Sequence, residues 1–167
     1  ERGTPQGAVI SPLLANIYLN PLDHHMVARG FEMVRYADDF VVLCPSREEA
    51  ERAFTVVRQW VADNGLTLHP DKTRVVDASQ RGGFDFLGYH FERGYRWPSR
   101  RSLEKFKDAV RAATRRTNGQ SLAMIVAGLN PKLRGWQAYF CHSHWTTFGG
   151  LDGWVRMRLR SLLRKRQ

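Results

Sequence analysis

Asp38 and Asp39 stand side by side between two short apolar runs, residues 31–36 and 40–44. Paired carboxylates at the tip of a hairpin are hard oxygen donors of the kind that hold Mg²⁺. In two-metal nucleotidyl transfer such ions activate the attacking oxygen and stabilise the leaving one, about 4 Å apart. Aspartate is equally at home in a plain turn, where it bonds its own backbone, so the pair alone leaves both readings open. The neighbours favour chemistry. Thr4-Pro5-Gln6-Gly7 can set an amide side chain and bare backbone against a flat, phosphate-bearing ligand, because glycine lets a ligand come close. Lys72, in the loop His69-Pro70-Asp71-Lys72-Thr73, can meet a pyrophosphate-like leaving group as a cation or proton donor.

The elements that must position these residues are legible from pattern. A helix is expected over 11–28, with Ser11 as N-cap and Pro12 at the first helical position. Leu14, Ile17 and Tyr18 share a face, and Pro21 is expected to kink or end the helix. The two apolar runs then make a β-hairpin around Ala37-Asp38-Asp39. Ser46 caps a second helix whose stripe is Ala50, Ala53, Phe54, Val57, Trp60 and Val61, ending near Asn64-Gly65. Leu66, Leu68, Val75 and Val76 flank the Lys72 loop as an extended-turn-extended segment. Phe84, Phe86, Leu87 and Tyr89 suggest a further strand or hairpin bent at Gly88. Residues 93–101, rich in charge with Gly and Pro, read as a boundary between domains 1–95 and 96–167. Beyond it the pattern gives a helix with Leu103, Phe106, Val110 and Ala113, then a short one over 121–128 broken at Asn130-Pro131. A third carries Leu133, Trp136, Gln137 and Phe140, and a fourth carries Leu151, Val155, Leu159 and Leu162, with Arg156, Arg160 and Arg164 on a facing stripe. The fold class expected is α+β followed by an all-helical basic piece.

Charge divides along the same line. The 167 residues carry 26 Lys or Arg against 16 Asp or Glu, a formal net charge of +10. Residues 1–91 hold 9 basic and 12 acidic residues, and residues 92–167 hold 17 basic and 4 acidic. A near-neutral half followed by one of net +13 points the second half at a polyanion. No apolar run approaches the roughly 20 residues that span a bilayer, so no membrane partner is expected. Cys44 and Cys141 make neither a disulfide framework nor a zinc knuckle, and Cys141-His142-Ser143-His144 lacks a second ligand pair. Bacterial cytoplasm, with association to RNA or nucleoid, is the expected location. The start at Glu1 suggests an excerpt or a processed product.

Arg2-Gly3-Thr4-Pro5-Gln6-Gly7 through Ser11-Pro12-Leu13-Leu14-Ala15-Asn16-Ile17-Tyr18-Leu19, then Tyr36-Ala37-Asp38-Asp39, Pro70-Asp71-Lys72-Thr73 and Phe86-Leu87-Gly88-Tyr89 follow the order of reverse transcriptase motifs. The set resembles the group II intron-encoded reverse transcriptase/maturase family. Leu133-Arg134-Gly135-Trp136-Gln137-Ala138-Tyr139-Phe140 resembles its maturase-specific thumb. The resemblance implies a partial palm, an antiparallel sheet with packed helices, followed by the thumb. It implies Asp38 and Asp39 as metal ligands for Mg²⁺ (with Mn²⁺ as a substitute), and Ala37 beside the primer end and nucleotide. Pro5, Gln6 and Gly7 would contact the incoming nucleotide, and Lys72 would be the general acid. Phe86, Leu87 and Gly88 would grip the primer. Arg100, Arg101, Arg156, Arg160 and Arg164 would bind RNA. Partners would be intron RNA, an RNA template with its DNA primer, and dNTPs.

The departures carry expectations of their own. The family's further metal-binding Asp lies upstream of the Gly3-Thr4-Pro5 motif, and Asp23, Asp63 and Asp77 lack its strand-flanked setting. Two ions need carboxylates from more than one strand, so this stretch by itself is expected to be inactive. Nothing in it supports an endonuclease. The alternative function is a non-catalytic RNA-binding splicing cofactor with an idle acidic hairpin. Trp136, Tyr139, Trp145 and Trp154 could stack on bases, although the helical spacing of Trp136 and Phe140 reads as thumb core.

Overall fold

A computed structural model describes residues 9–115, 117 and 119–166. Five helices and two antiparallel sheets stand among these residues, an α+β fold. Packing divides the chain into two compact units, residues 1–77 and 78–167.

In the first unit, helix α1 (Ser11–Val27) leads into the hairpin β1 (Glu32–Tyr36) and β2 (Asp39–Leu43), and helix α2 (Arg47–Asp63) follows. The strands pair from Glu32↔Leu43 to Tyr36↔Asp39. The core joins Leu22, Met26 and Phe31 to Ala53, Val57 and Val61. This burial goes with a correction to one half of an expectation: α1 does not end at Pro21 but runs on to Val27. Proline inside a helix forfeits a backbone bond and clashes with the preceding turn, at a cost of about 3 kcal/mol. Leu22 and Met26, just past it, have no exposed surface at all, and two such side chains return about as much when buried. A second correction concerns the cap. Ile10 occupies the N-cap position in helical conformation with no side-chain cap bond, and Ser11 is already the first helical residue. Ser46 caps α2 as expected, its hydroxyl accepting from the Glu49 N–H at 3.2 Å. Residues 66–76 form no strand; a turn in which the Lys72 and Thr73 N–H groups donate to the His69 carbonyl carries the lysine loop.

The second unit opens with a meander of β3 (Phe84–Phe86), β4 (Tyr89–Glu92) and β5 (Tyr95–Pro98), in the order β3-β4-β5. Residues 93–101, expected as an inter-domain boundary, are therefore a tight turn, a strand and the start of a helix. Tyr95 and Trp97 favour the pleated sheet, and Arg93 and Gly94, at φ 52° and 77°, supply the two-residue reversal. By packing this sheet lies in the unit of the helices, so the compact units divide ahead of the 95/96 boundary read from pattern. Helices α3 (Arg100–Ala113), α4 (Leu122–Tyr139) and α5 (Thr146–Arg166) complete the unit. The break expected at Asn130-Pro131 is absent. Leu129, 1% exposed before it, and Leu133 and Trp136 after it all pack into the cluster of Phe106, Val110 and Val155, so α4 is one helix where two were expected. The final helix begins at Thr146 and takes Gly149 and Gly150 into its first turns.

Candidate active site

The expected nucleotide contacts Pro5, Gln6 and Gly7 lie outside the described residues. Ala37, Asp38, Asp39 and Lys72 belong to the first unit. Phe86, Leu87, Gly88 and the five arginines belong to the second.

The β1–β2 hairpin closes on Tyr36↔Asp39, which leaves Ala37 and Asp38 as a two-residue turn. Ala37 has φ 54°, a left-handed conformation that costs a residue with a Cβ about 1–2 kcal/mol. Arg35 compensates. Its guanidinium donates through Nη1 to the Ala37 carbonyl at 2.7 Å and to Asn16 Oδ1 at 3.0 Å. Through Nε and Nη2 it grips both oxygens of Asp23, at 2.8 and 2.5 Å. Asn16 and Asp23 both sit on α1, so the helix holds the turn through one side chain that is only 9% exposed. The hydrogen bonds it donates to Asp23 raise the guanidinium pKa further, against the opposing effect of burial, and its charge is permanent.

On this clamped turn Asp38 and Asp39 are exposed, and neither side chain makes a hydrogen bond or ion pair with a described residue. Two carboxylates that pair with no cation among the described residues fit a hard divalent ion. No group of three His, Cys, Asp or Glu side chains gathers among the described residues, so the pair offers part of a coordination shell. Lys72 is exposed in its turn, with no ion pair to the aspartates.

The turn of the second unit, Leu87-Gly88, has φ 48° and 79°, and both of its carbonyls are captured. The Tyr139 hydroxyl donates to the Leu87 carbonyl at 2.7 Å. The Ser99 N–H and Ser102 hydroxyl donate to the Gly88 carbonyl at 2.8 and 2.9 Å. In return Tyr89 donates its hydroxyl to the Tyr139 carbonyl at 2.5 Å. Burial pushes the Tyr89 phenol up, which keeps it a donor. The start of α3 and the end of α4 thus hold the strand turn that the motif order singles out.

The arginines are surface residues. Arg100 pairs with Glu104 and Arg156 with Asp152, each at 2.9 Å across one helical turn; exposed pairs of this kind are worth little and yield easily to a phosphate. Arg101, Arg160 and Arg164 are exposed without an ion pair to a described residue. Trp136 packs on Phe106 and Phe140 with ring centroids 4.4 and 4.7 Å apart, and Phe140 is buried. In the Cys141–His144 loop the His142 carbonyl accepts from Arg96 Nε, and the His144 N–H donates to the Arg96 carbonyl. That loop is stitched to β5.

Pattern reading missed two residues that shape these sites, Arg35 and Ser102, and read Tyr139 as a base-stacking ring where it anchors the Leu87 carbonyl. A signal existed for Arg35. It shares the inward phase of β1 with Met33, and an inward arginine demands a partner.

Residues 1–91 match the family model of reverse transcriptase (RNA-dependent DNA polymerase). The chain belongs to the reverse transcriptases. Residues 103–167 match the group II intron maturase-specific domain, which makes it a reverse transcriptase/maturase of group II intron type, a palm portion followed by the helical thumb. Among curated relatives it is 29% identical over 128 residues to Protein YkfC of Escherichia coli (strain K12), covering 56% of this chain and 33% of that one. It is 30% identical over 89 residues to telomerase reverse transcriptase of Oryzias latipes, covering 51% of this chain and 8% of that one. The chain thus spans a third or less of the relatives it matches. No helix among the described residues is long and apolar enough to cross a membrane.

Proposed function

We propose that these residues are the palm portion and thumb of an RNA-directed DNA polymerase that copies intron RNA and binds the same RNA to assist splicing. The Asp38-Asp39 pair, exposed on its clamped turn and without a side-chain partner among the described residues, carries this reading. Asp38 and Asp39 would hold Mg²⁺, which supplies activation of the primer hydroxyl and charge stabilisation at the leaving oxygen. Ala37 lines the primer end, Pro5, Gln6 and Gly7 receive the nucleotide, and Lys72 delivers a proton to pyrophosphate. Phe86, Leu87 and Gly88 position the primer strand, while Arg100, Arg101, Arg156, Arg160 and Arg164 bind RNA phosphates. The setting is the bacterial cytoplasm, and the substrates are an RNA template, a DNA primer and dNTPs. Two aspartates are an incomplete shell for two ions, so residues 1–167 by themselves bind nucleic acid without extending a primer.

Mg²⁺-dependent primer extension on an RNA template tests this, run beside a binding assay on the same sample. The expected result is salt-sensitive binding by residues 1–167 without extension, and extension by a longer palm-complete chain that vanishes in Asp38→Ala. Extension by residues 1–167 would overturn the incomplete-shell part. A palm-complete chain that binds RNA but never extends would turn the assignment to a splicing cofactor. Arg160→Ala is expected to lower the salt slope of binding by roughly 0.7–0.9.

A further inference from the structure

We propose that the second unit carries a stacking site for unpaired nucleotides, built from Tyr95, Trp97, His144 and Trp145 beside an open apolar cavity. It deepens the RNA-binding part of the reading above and rests on that part alone, not on the polymerase chemistry.

The rings form a continuous row. Tyr95 meets the His144 ring edge-on at 5.1 Å and Trp97 at 5.8 Å; His144 lies 5.7 Å from both Trp97 and Trp145. Two members of the row are largely in water, Trp145 at 79% exposed and Tyr95 at 56%. Neither belongs to the unit's hydrophobic core, so packing does not account for them. The row is also held in place, because the loop bearing His144 is bonded to β5 on both sides of the Arg96 backbone and side chain, and His144 Nδ1 lies 2.7 Å from Thr146 Oγ1. Aromatic faces fixed before binding stack on bases at little entropic cost.

Trp97 also lines a cavity of about 450 Å³, faced on the α5 side by Trp154 and Thr147, a volume within the usual range for small-ligand sites. Its polar lining is sparse. Lys107, contributed by α3, also lines the cavity and makes no ion pair with a described residue. Apolar walls with two indole rings and one cation match a nucleotide's base and phosphate. Arg93 and Arg96 flank Tyr95 in sequence within the segment of net charge +13, which favours a polyanion over an apolar peptide. A base in a duplex already stacks on its neighbours, so the ligand is an unpaired stretch.

The test is fluorescence anisotropy of residues 1–167 with a labelled ten-nucleotide uridine oligomer, its deoxythymidine counterpart, and a hairpin duplex of matched phosphate number. The double variant Tyr95→Ala/Trp145→Ala changes exposed side chains, and circular dichroism checks that it folds. It is expected to weaken both oligomers by on the order of tenfold or more, with the salt slope unchanged because no phosphate contact is lost, and the hairpin within about twofold. Equal loss for the two oligomers supports stacking on any polynucleotide. A larger loss for the uridine oligomer supports an RNA site that also reads the 2′-hydroxyl. A double variant that binds single strands as the wild type does, or loses the hairpin in parallel, overturns the proposal while the RNA-binding reading stands. A wild-type chain that binds none of the three overturns both.

Discussion

Two tight turns in this chain solve the same conformational problem by different means. Ala37 and Leu87 each open a two-residue hairpin reversal with a left-handed backbone, at φ 54° and 48°. After Leu87 comes Gly88 at φ 79°, the twisted reversal that matches the strands and that glycine adopts freely. After Ala37 comes Asp38, with no glycine in the turn. The first turn is held by one permanent charge, Arg35, tied to α1 through Asp23 and Asn16. The second is held by neutral donors, the hydroxyls of Tyr139 and Ser102 and the Ser99 N–H. A turn that presents two carboxylates gains from a cation behind it, since the guanidinium fixes the backbone and also offsets charge crowding at the tip. The Leu87-Gly88 turn presents no charged side chain, and neutral anchors on α3 and α4 suffice to hold it.

That contrast is broken most directly at Arg35. Arg35→Ala leaves the Asp23 carboxylate and the Ala37 carbonyl without their donor. Breaking a fully buried pair costs about 3–5 kcal/mol, and because Asp23 remains a third exposed about 2 kcal/mol of unfolding stability is expected to be lost. Adding Ala37→Gly should return about 1 kcal/mol by removing the left-handed penalty. Urea unfolding followed by circular dichroism reads both, and a double variant no more stable than Arg35→Ala would mean that the arginine holds the helix and not the turn.

The second turn should respond to a change of shape more than of charge. A Cβ on Gly88 would lie 3.1 Å from Ser102 Oγ at an already unfavourable φ, so Gly88→Ala is expected to cost about 1–3 kcal/mol. Adding Ser102→Ala should relieve the crowding but forfeit a hydrogen bond, so little net recovery is expected by thermal unfolding. Tyr139→Phe keeps the ring contacts with Tyr89 and Phe140 and removes only the bond to the Leu87 carbonyl, worth about 1 kcal/mol.

These clamps explain which parts of the molecule were legible in the sequence. The hairpins, the capped α2 and the helical thumb announce themselves through local periodicity, because the alternation of apolar residues is itself the cause of the element. Pro21 and Pro131 misled for the complementary reason. Their local cost is real, but Leu22, Met26 and Leu129 are almost wholly buried, and a tertiary term has no trace in a ten-residue window. The Asp38-Asp39 pair was visible because a motif is contiguous. Its clamp joins residues 16, 23 and 35, and that of the other turn joins 87, 88, 99, 102 and 139, spacings that only the folded chain makes meaningful. The Leu87 turn could be named from its motif, while its partner Tyr139 looked like one more aromatic among arginines.

The smallest expected effect on stability is at the most consequential residues. The Asp38 and Asp39 side chains are exposed and bonded to no described residue, so Asp38→Asn and Asp39→Asn remove no side-chain contact among the described residues, and substitutions of that kind stay within about 0.5 kcal/mol. Separating two adjacent carboxylates from each other's field should even leave the variants slightly more stable at low salt, with the difference closing as salt screens the pair. Urea unfolding at two salt concentrations measures this. A loss of more than 1 kcal/mol from either substitution would show that the aspartates hold the turn as Asx-type hydrogen-bonding residues, and the turn would then need no ligand to explain them. Unchanged stability leaves two carboxylates that the fold maintains at a cost to Ala37 and does not itself use, the signature of groups kept for something that binds.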